Sequence, residues 1–240
     1  MPANVTIQCR GVTKRFGDRL VLDRVDLTIG AGSRLGLLGK SGAGKSTLLR
    51  IIAALDDPTA GAVTFETGSP GIAINPKIGM VFQNLALWPH LTARQHVEVV
   101  LRGAQRRQRR AQAETLLEEL RLPPATWNRA PGELSGGEAQ RVAIARALAI
   151  EPDVLLFDEP LAHVDEELRH ELLELLESVV HRHSVTTIYV THAHAEARRM
   201  ADQIVVIENG RIKPMEASDQ RRDAIEDPVV CPESDSRSRG

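Results

Sequence analysis

The sequence predicts an α/β fold, a mainly parallel sheet covered by helices on both faces, and three observations carry that prediction. Short apolar runs at 35–38, 154–157 and 185–190 alternate with helical patterns, the spacing of a buried parallel sheet. A glycine-rich loop follows the first run and opens a helix. The second run ends in two adjacent carboxylates, Asp158 and Glu159, where a sheet of this kind binds its ligands, beyond the carboxyl ends of its strands.

The elements follow in order. Two β-rich segments open the chain, at 5–8 and 20–29, and the run 35–38 leads through the loop into a helix over 46–55. Asp57-Pro58-Thr59-Ala60-Gly61 breaks that helix, and 62–65 reads as a short strand. From 84 to 128 the pattern becomes helical, with a kinked entry at Leu87-Trp88-Pro89-His90 and a charged amphipathic helix over 111–121. The α/β pattern then resumes: helix 136–149, strand 154–157, helix 166–182, strand 185–190, helix 195–200, strand 203–208. After about Pro214 it fades into a polar tail whose last residues, 232–240, read as disordered. The expected organisation is one domain over 1–215, with a helical subdomain inserted at about 84–130, followed by the tail 216–240.

Composition narrows the function classes. Acidic and basic residues nearly cancel, 32 against 30, so no global field draws nucleic acid or anionic lipid. Cys9 and Cys231 lie near opposite ends with no ligand-like spacing, which points away from a disulfide framework or a zinc site and toward a reducing compartment. No apolar run reaches the roughly 18 residues of a membrane span, and the first residues lack a secretory pattern. Aromatics at 3% offer little surface for stacking single-stranded bases.

GKSGAGKST, comprising Gly39, Lys40, Ser41, Gly42, Ala43, Gly44, Lys45, Ser46 and Thr47, has the spacing of a phosphate loop in the required setting between strand and helix. Its glycines let backbone N–H groups crowd phosphate oxygens, Lys45 reaches the β and γ phosphates, and Ser46 ligates Mg²⁺. Of the carboxylates, Asp158 suits an Mg²⁺ partner through water, and Glu159 a base that polarises the water attacking a γ-phosphoryl group. LSGGEAQRVAIARAL, beginning at Leu134, is no part of a generic phosphate-loop fold.

With these motifs in this order, the chain resembles ABC transporter ATPases from about Val5 to Lys213. The resemblance implies a phosphate-loop NTPase core with an N-terminal antiparallel β subdomain and an inserted α-helical subdomain. It implies ATP and Mg²⁺ as ligands, and a head-to-tail dimer in which Ser135, Gly136 and Gly137 of one subunit close over ATP held by the other. Ser135 also reads as an ordinary helix N-cap. Phe16 matches the aromatic that stacks on adenine, Gln83 the glutamine that contacts Mg²⁺ or the attacking water, His192 the histidine at the γ-phosphate, and Asp165 the aspartate between the two sites. His194 reads as exposed, and His163 as a candidate contact across the dimer. Glu138 stands where Gln is commoner in the family.

The implied partners are a transmembrane permease, a second copy or a homologous ATPase subunit, and a substrate-binding protein, with no nucleic acid expected. The place of work is then the cytoplasmic face of the inner membrane. FQNLALWPHLTARQHV and the Glu159-Pro160-Leu161 run resemble importer ATPases. Export or lipid-extraction systems, which also use LSGGE, are the alternative, followed by a non-transport ATPase acting on ribosomes or DNA. The arginines Arg102, Arg106, Arg107, Arg109 and Arg110 read as a solvated helix face, and Leu168, Leu172, Leu175, Leu176 and Val179 as core packing.

Overall fold

Residues apolar on two faces need cover on both sides, and the central strands show how this chain supplies it. In the computed structural model, which describes residues 5–67, 73–101, 105–162 and 164–215, β3 (Arg34–Leu38), β5 (Ile78–Val81), β6 (Val154–Asp158), β7 (Thr186–Thr191), β8 (Gln203–Glu208) and β9 (Arg211–Pro214) form one sheet. Its order is β5-β6-β7-β3-β8-β9, parallel except for the antiparallel pairing of β9 with β8. All five residues of β6 and all six of β7 are buried. Val154, Leu156, Ile188 and Val190 point into one core, while Leu155, Phe157 and Tyr189 point into another.

The first core lies between this sheet, α1 (Lys45–Ile52) and a smaller antiparallel sheet of β1 (Val5–Phe16), β2 (Arg19–Ile29) and β4 (Ala60–Thr67), ordered β2-β1-β4. The second gathers α4 (Gly136–Leu148) and α5 (Glu166–His183) with α2 (Ala93–Glu98) and α3 (Arg106–Glu119). The chain therefore leaves the sheet after β5, forms the helical lobe of α2 and α3, and returns through α4. The stripe Leu172, Leu175, Leu176 and Val179 is buried in this core, with Leu168 packed against it. Helix α6 (His194–Met200) packs over β3, where Gly36 leaves room: a Cβ there would lie 3.1 Å from that of Ala201.

Several boundaries differ from the sequence expectation. β5 was not anticipated, because IGMV is short and contains a breaker residue. That glycine is required by packing: a Cβ on Gly79 would sit 2.5 Å from the Ala147 carbonyl oxygen of α4. β9, exposed and ending in proline, is an edge strand, the one sheet position that tolerates proline easily. β1 runs on to Phe16 through bulges near Val12, α1 is shorter than expected, and α3 begins at Arg106. The expectations for Arg102, His163, Cys231 and the tail lie outside the described residues.

Candidate active site

The phosphate loop leaves β3 and enters α1 through glycines that the packing demands. Gly44 caps α1 with φ 108°, and a Cβ there would lie 2.9 Å from Leu22 Cδ2. No side chain caps α1. Its first-turn N–H groups, which have no partner within the helix, are therefore left for an anion.

Lys45, 4% exposed, places Nζ 2.8 Å from the Gly39 carbonyl oxygen, 3.1 Å from that of Lys40 and 3.1 Å from Glu159 Oε1. An ammonium has three N–H groups, so these partners occupy all its donor capacity. A phosphate oxygen reaching Lys45 must displace one of them, and the Glu159 carboxylate is the partner of like charge to phosphate.

Strand β6 delivers the two carboxylates to different surroundings. Asp158 is buried and accepts a hydrogen bond from Ser46 Oγ at 2.8 Å. Burial pushes its carboxyl above the usual aspartate range; the Ser46 hydroxyl opposes that shift and the neighbouring Glu159 charge adds to it. Glu159 turns at the strand end with φ 45°, a left-handed conformation that costs a non-glycine residue about 1–2 kcal/mol, and its N–H donates to the Val190 carbonyl at 3.0 Å. That turn aims its side chain back between Lys45 and His192, whose Nδ1 lies 3.3 Å from Glu159 Oε2.

Lys45, Ser46 and Glu159 border one cleft of about 480 Å³, lined also by Phe16, Arg19, Val21 and Gln83 together with Ser41, Gly42, Gly44 and Thr47. Phe16 is 53% exposed at the end of β1, with Lys14 Nζ 5.1 Å from its ring centre. Gln83 is exposed just beyond β5. Gly39, Lys40 and Ala43 border an adjoining hollow with His192 and the half-buried His194, which the sequence reading had exposed.

Ser135, Gly136, Gly137 and Asp165 do not line this cleft. Ser135 Oγ accepts from the Glu138 amide at 3.2 Å and Glu138 Oε2 accepts from the Ser135 amide at 2.7 Å, a capping box at the start of α4. Glu138 thus closes the capping box at this helix end. Asp165 caps α5, with Oδ1 accepting from the Leu168 amide at 3.0 Å. The two glycines differ. A Cβ on Gly137 would strike Leu168 Cδ2 at 2.4 Å, whereas one on Gly136 meets nothing within 4 Å.

Arg146 and His96, away from the cleft, make contacts that the sequence did not announce. Arg146 of α4 donates through Nη2 to the Leu85 carbonyl at 2.8 Å and through Nη1 to that of Ala86, while its guanidinium lies 5.3 Å from the Trp88 ring centre. Trp88 stacks on buried His96, whose Nε2 accepts from the Trp88 amide at 2.8 Å. The signal in sequence was an arginine set among apolar residues in the second half of the helix, Val142-Ala143-Ile144-Ala145-Arg146-Ala147-Leu148. Its partners lie about sixty residues away, which no local pattern reveals.

Comparison with known proteins accords with this geometry. Residues 22–162 match the family described as ABC transporter. The chain is 43% identical over 213 residues to a probable sulfate/thiosulfate import ATP-binding protein of Chlorella vulgaris, covering 87% of this chain and 89% of that protein. It is 42% identical to the sulfate/thiosulfate import ATP-binding protein of Bradyrhizobium diazoefficiens, covering 95% of this chain and 67% of that protein. The corresponding protein of Synechococcus elongatus is 44% identical over 214 residues, covering 87% of this chain and 62% of that protein. Among solved structures, a dimeric ATP-binding cassette in a post-hydrolysis state with ADP and Pi superposes with a TM-score of 0.76 at 34% identity, covering 88% of this chain and 99% of that one. The family match covers the phosphate loop and both carboxylates, and the chain belongs to the ABC transporter family, whose cassettes hydrolyse ATP.

Proposed function

We propose that two copies of this chain close head to tail around ATP and that the cycle of closure and hydrolysis drives uptake of sulfate or thiosulfate through a separate permease. The observation that carries the pairing is the separation of Ser135 and Gly136 from the chain's own cleft, with open space where a Gly136 side chain would be. A glycine whose missing side chain would meet nothing among the described residues is free to bring backbone N–H groups against a ligand held by another copy. The dimeric cassette structures support the pairing, and the named relatives support the cargo.

Each residue has a task in this reading. Adenine stacks on Phe16 and the phosphates lie on the loop, where Lys45 exchanges Glu159 for γ-phosphate oxygens. Ser46, Asp158 and Gln83 fit Mg²⁺: these are oxygen donors, and the buried Asp158 carboxylate, whose affinity for a proton is raised, has the charge a hard cation needs. When bound, Mg²⁺ neutralises charge on the phosphate oxygens.

Glu159, released from Lys45, takes the proton of a water that attacks the γ-phosphorus, while the bond to the β-phosphate oxygen breaks to give ADP and phosphate. His192 holds the γ-phosphate side of the site. Ser135, Gly136 and Gly137 of the opposing copy complete it, and Asp165 holds the α5 entrance at the junction between the two sites.

For the permease, the groove of about 320 Å³ bordered by Leu55, Ile78, Met80, Trp88, Val100 and Arg146 offers an apolar seat to a cytoplasmic helix. Among the described residues no helix is long and apolar enough to cross a membrane. A permease partner would therefore hold the chain at the cytoplasmic face of the inner membrane. The test is purification from native membranes with the permease attached, followed by sulfate uptake in reconstituted vesicles. Retention of a multi-spanning protein and ATP-dependent uptake are expected; a complex whose ATPase and uptake ignore both anions would refute the cargo.

A further inference from the structure

The His192 side chain is 63% exposed, and among the described residues its imidazole meets Glu159 Oε2 at 3.3 Å. A side chain so lightly held must be aimed by its backbone, and the residues on either side of it are tied to one buried group. That group is Glu196, 7% exposed in the first turn of α6.

Glu196 Oε2 accepts from Thr191 Oγ1 at 2.7 Å and from Tyr189 Oη at 3.1 Å. Thr191 Oγ1 in turn accepts from the Ala193 amide at 3.0 Å. In an ordinary capping box an acid at this position of the first turn would reach the N-cap amide itself. Here the hydroxyl of Thr191 is inserted between them, so the Ala193 amide, the Thr191 hydroxyl and the Glu196 carboxylate form one chain that spans His192. Burial and the Glu196 charge push the Tyr189 phenol well above its usual range, which keeps it a donor. Arg169 of α5 borders the same small space with Glu159, His192 and Glu196, giving the buried carboxylate a nearby cation.

We propose that Glu196 is the positioning residue for His192: through Thr191 and Tyr189 it fixes the turn between β7 and α6, and so sets the imidazole against Glu159 and the γ-phosphate. It touches neither nucleotide nor attacking water. The inference rests on the proposed role of His192, and the experiment separates the two.

Steady-state ATP hydrolysis and nucleotide affinity are measured for Glu196→Ala, Glu196→Gln, His192→Ala and the double variant Glu196→Ala/His192→Ala. Because a displacement of about 1 Å in a catalytic group costs about 100-fold, Glu196→Ala is expected to lower kcat about 10- to 100-fold. Affinity for ATP, set by Phe16 and the phosphate loop, stays near that of the parent chain, and Glu196→Gln, which still accepts from both hydroxyls, recovers most of the rate. The double variant is expected to be no slower than His192→Ala, since two residues acting through one contact are not additive. Should Glu196→Ala fail to fold, Thr191→Val replaces it in the same cycle with the same expectation.

Full additivity in the double variant, or a normal kcat in the Glu196 and Thr191 variants beside a slow His192→Ala, overturns the positioning role alone. A normal kcat in His192→Ala overturns the role of His192, and this inference with it.

Discussion

Replacing Glu159 by Gln changes one oxygen into an amide nitrogen, and the geometry separates its two consequences. In the free chain the carboxylate is one of three acceptors for Lys45, at 3.1 Å, and one of the groups a phosphate must displace. A hydrogen bond to a charged acceptor contributes about 1.5–3 kcal/mol and one to a neutral acceptor about 0.5–1.5, so the substitution weakens that competitor by about 1 kcal/mol. ATP should therefore bind about fivefold more tightly to Glu159→Gln, since about 1.4 kcal/mol is tenfold. Turnover moves the other way: loss of a general base costs about 100- to 10,000-fold.

Titration calorimetry gives the affinity, single-turnover hydrolysis the rate, and size-exclusion chromatography in saturating ATP the expected stalled dimer. A rate within tenfold of the parent, ATP affinity weakened tenfold, or a monomer under saturating ATP would refute the reasoning.

Lys45→Ala removes the one side-chain cation shared by the loop carbonyls and Glu159, and should lose both nucleotide binding and hydrolysis; near-normal turnover would count against the phosphate loop. Asp158→Asn keeps an acceptor for Ser46 and removes a buried charge. Because folding raises the Asp158 pKa, its ionised form destabilises the free chain progressively as pH rises from the unfolded value of 3.8 through the raised folded one. At neutral pH the variant should melt higher, by roughly 2–4 °C for each kcal/mol relieved, while Mg²⁺-dependent hydrolysis is lost.

Gly136→Ala should fold normally yet fail to form the ATP-bound dimer, whereas Gly137→Ala should lower the melting temperature through its clash with Leu168. Burial holds His96 below its usual 6.5 despite the opposing pull of the Thr92 carbonyl. Its neutral form therefore contributes stability that is full above about 6.5 and lost as pH falls through the folded value. Urea unfolding followed by tryptophan fluorescence should show that pH dependence, and His96→Gln should abolish it.

Much of the architecture was legible because each strand and helix carries its own period, and the phosphate loop lay open to reading because its chemistry is local. Glycines at fixed offsets bend the backbone, a lysine follows, and a helix begins; no distant residue is needed to recognise the arrangement. Asp158 and Glu159 were equally plain at the end of an apolar run, although opposite behaviour from adjacent carboxylates was not. One is buried against Ser46 and the other is turned by a left-handed φ between Lys45 and His192, and both facts depend on β6 lying beside β7.

The sequence by itself determined the family and the candidate phosphate site, since those depend on residue type, spacing and order along a few turns of chain. Only the tertiary structure decided how the parts are held: Gly79 beneath the Ala147 carbonyl, Arg146 on the carbonyls of Leu85 and Ala86, and the Glu196 carboxylate fastening the turn that carries His192. The physical reason is that close approach, burial and hydrogen bonding across elements belong to pairs of residues brought together by packing, and neither member of a pair carries the other's position in its own neighbourhood of the chain.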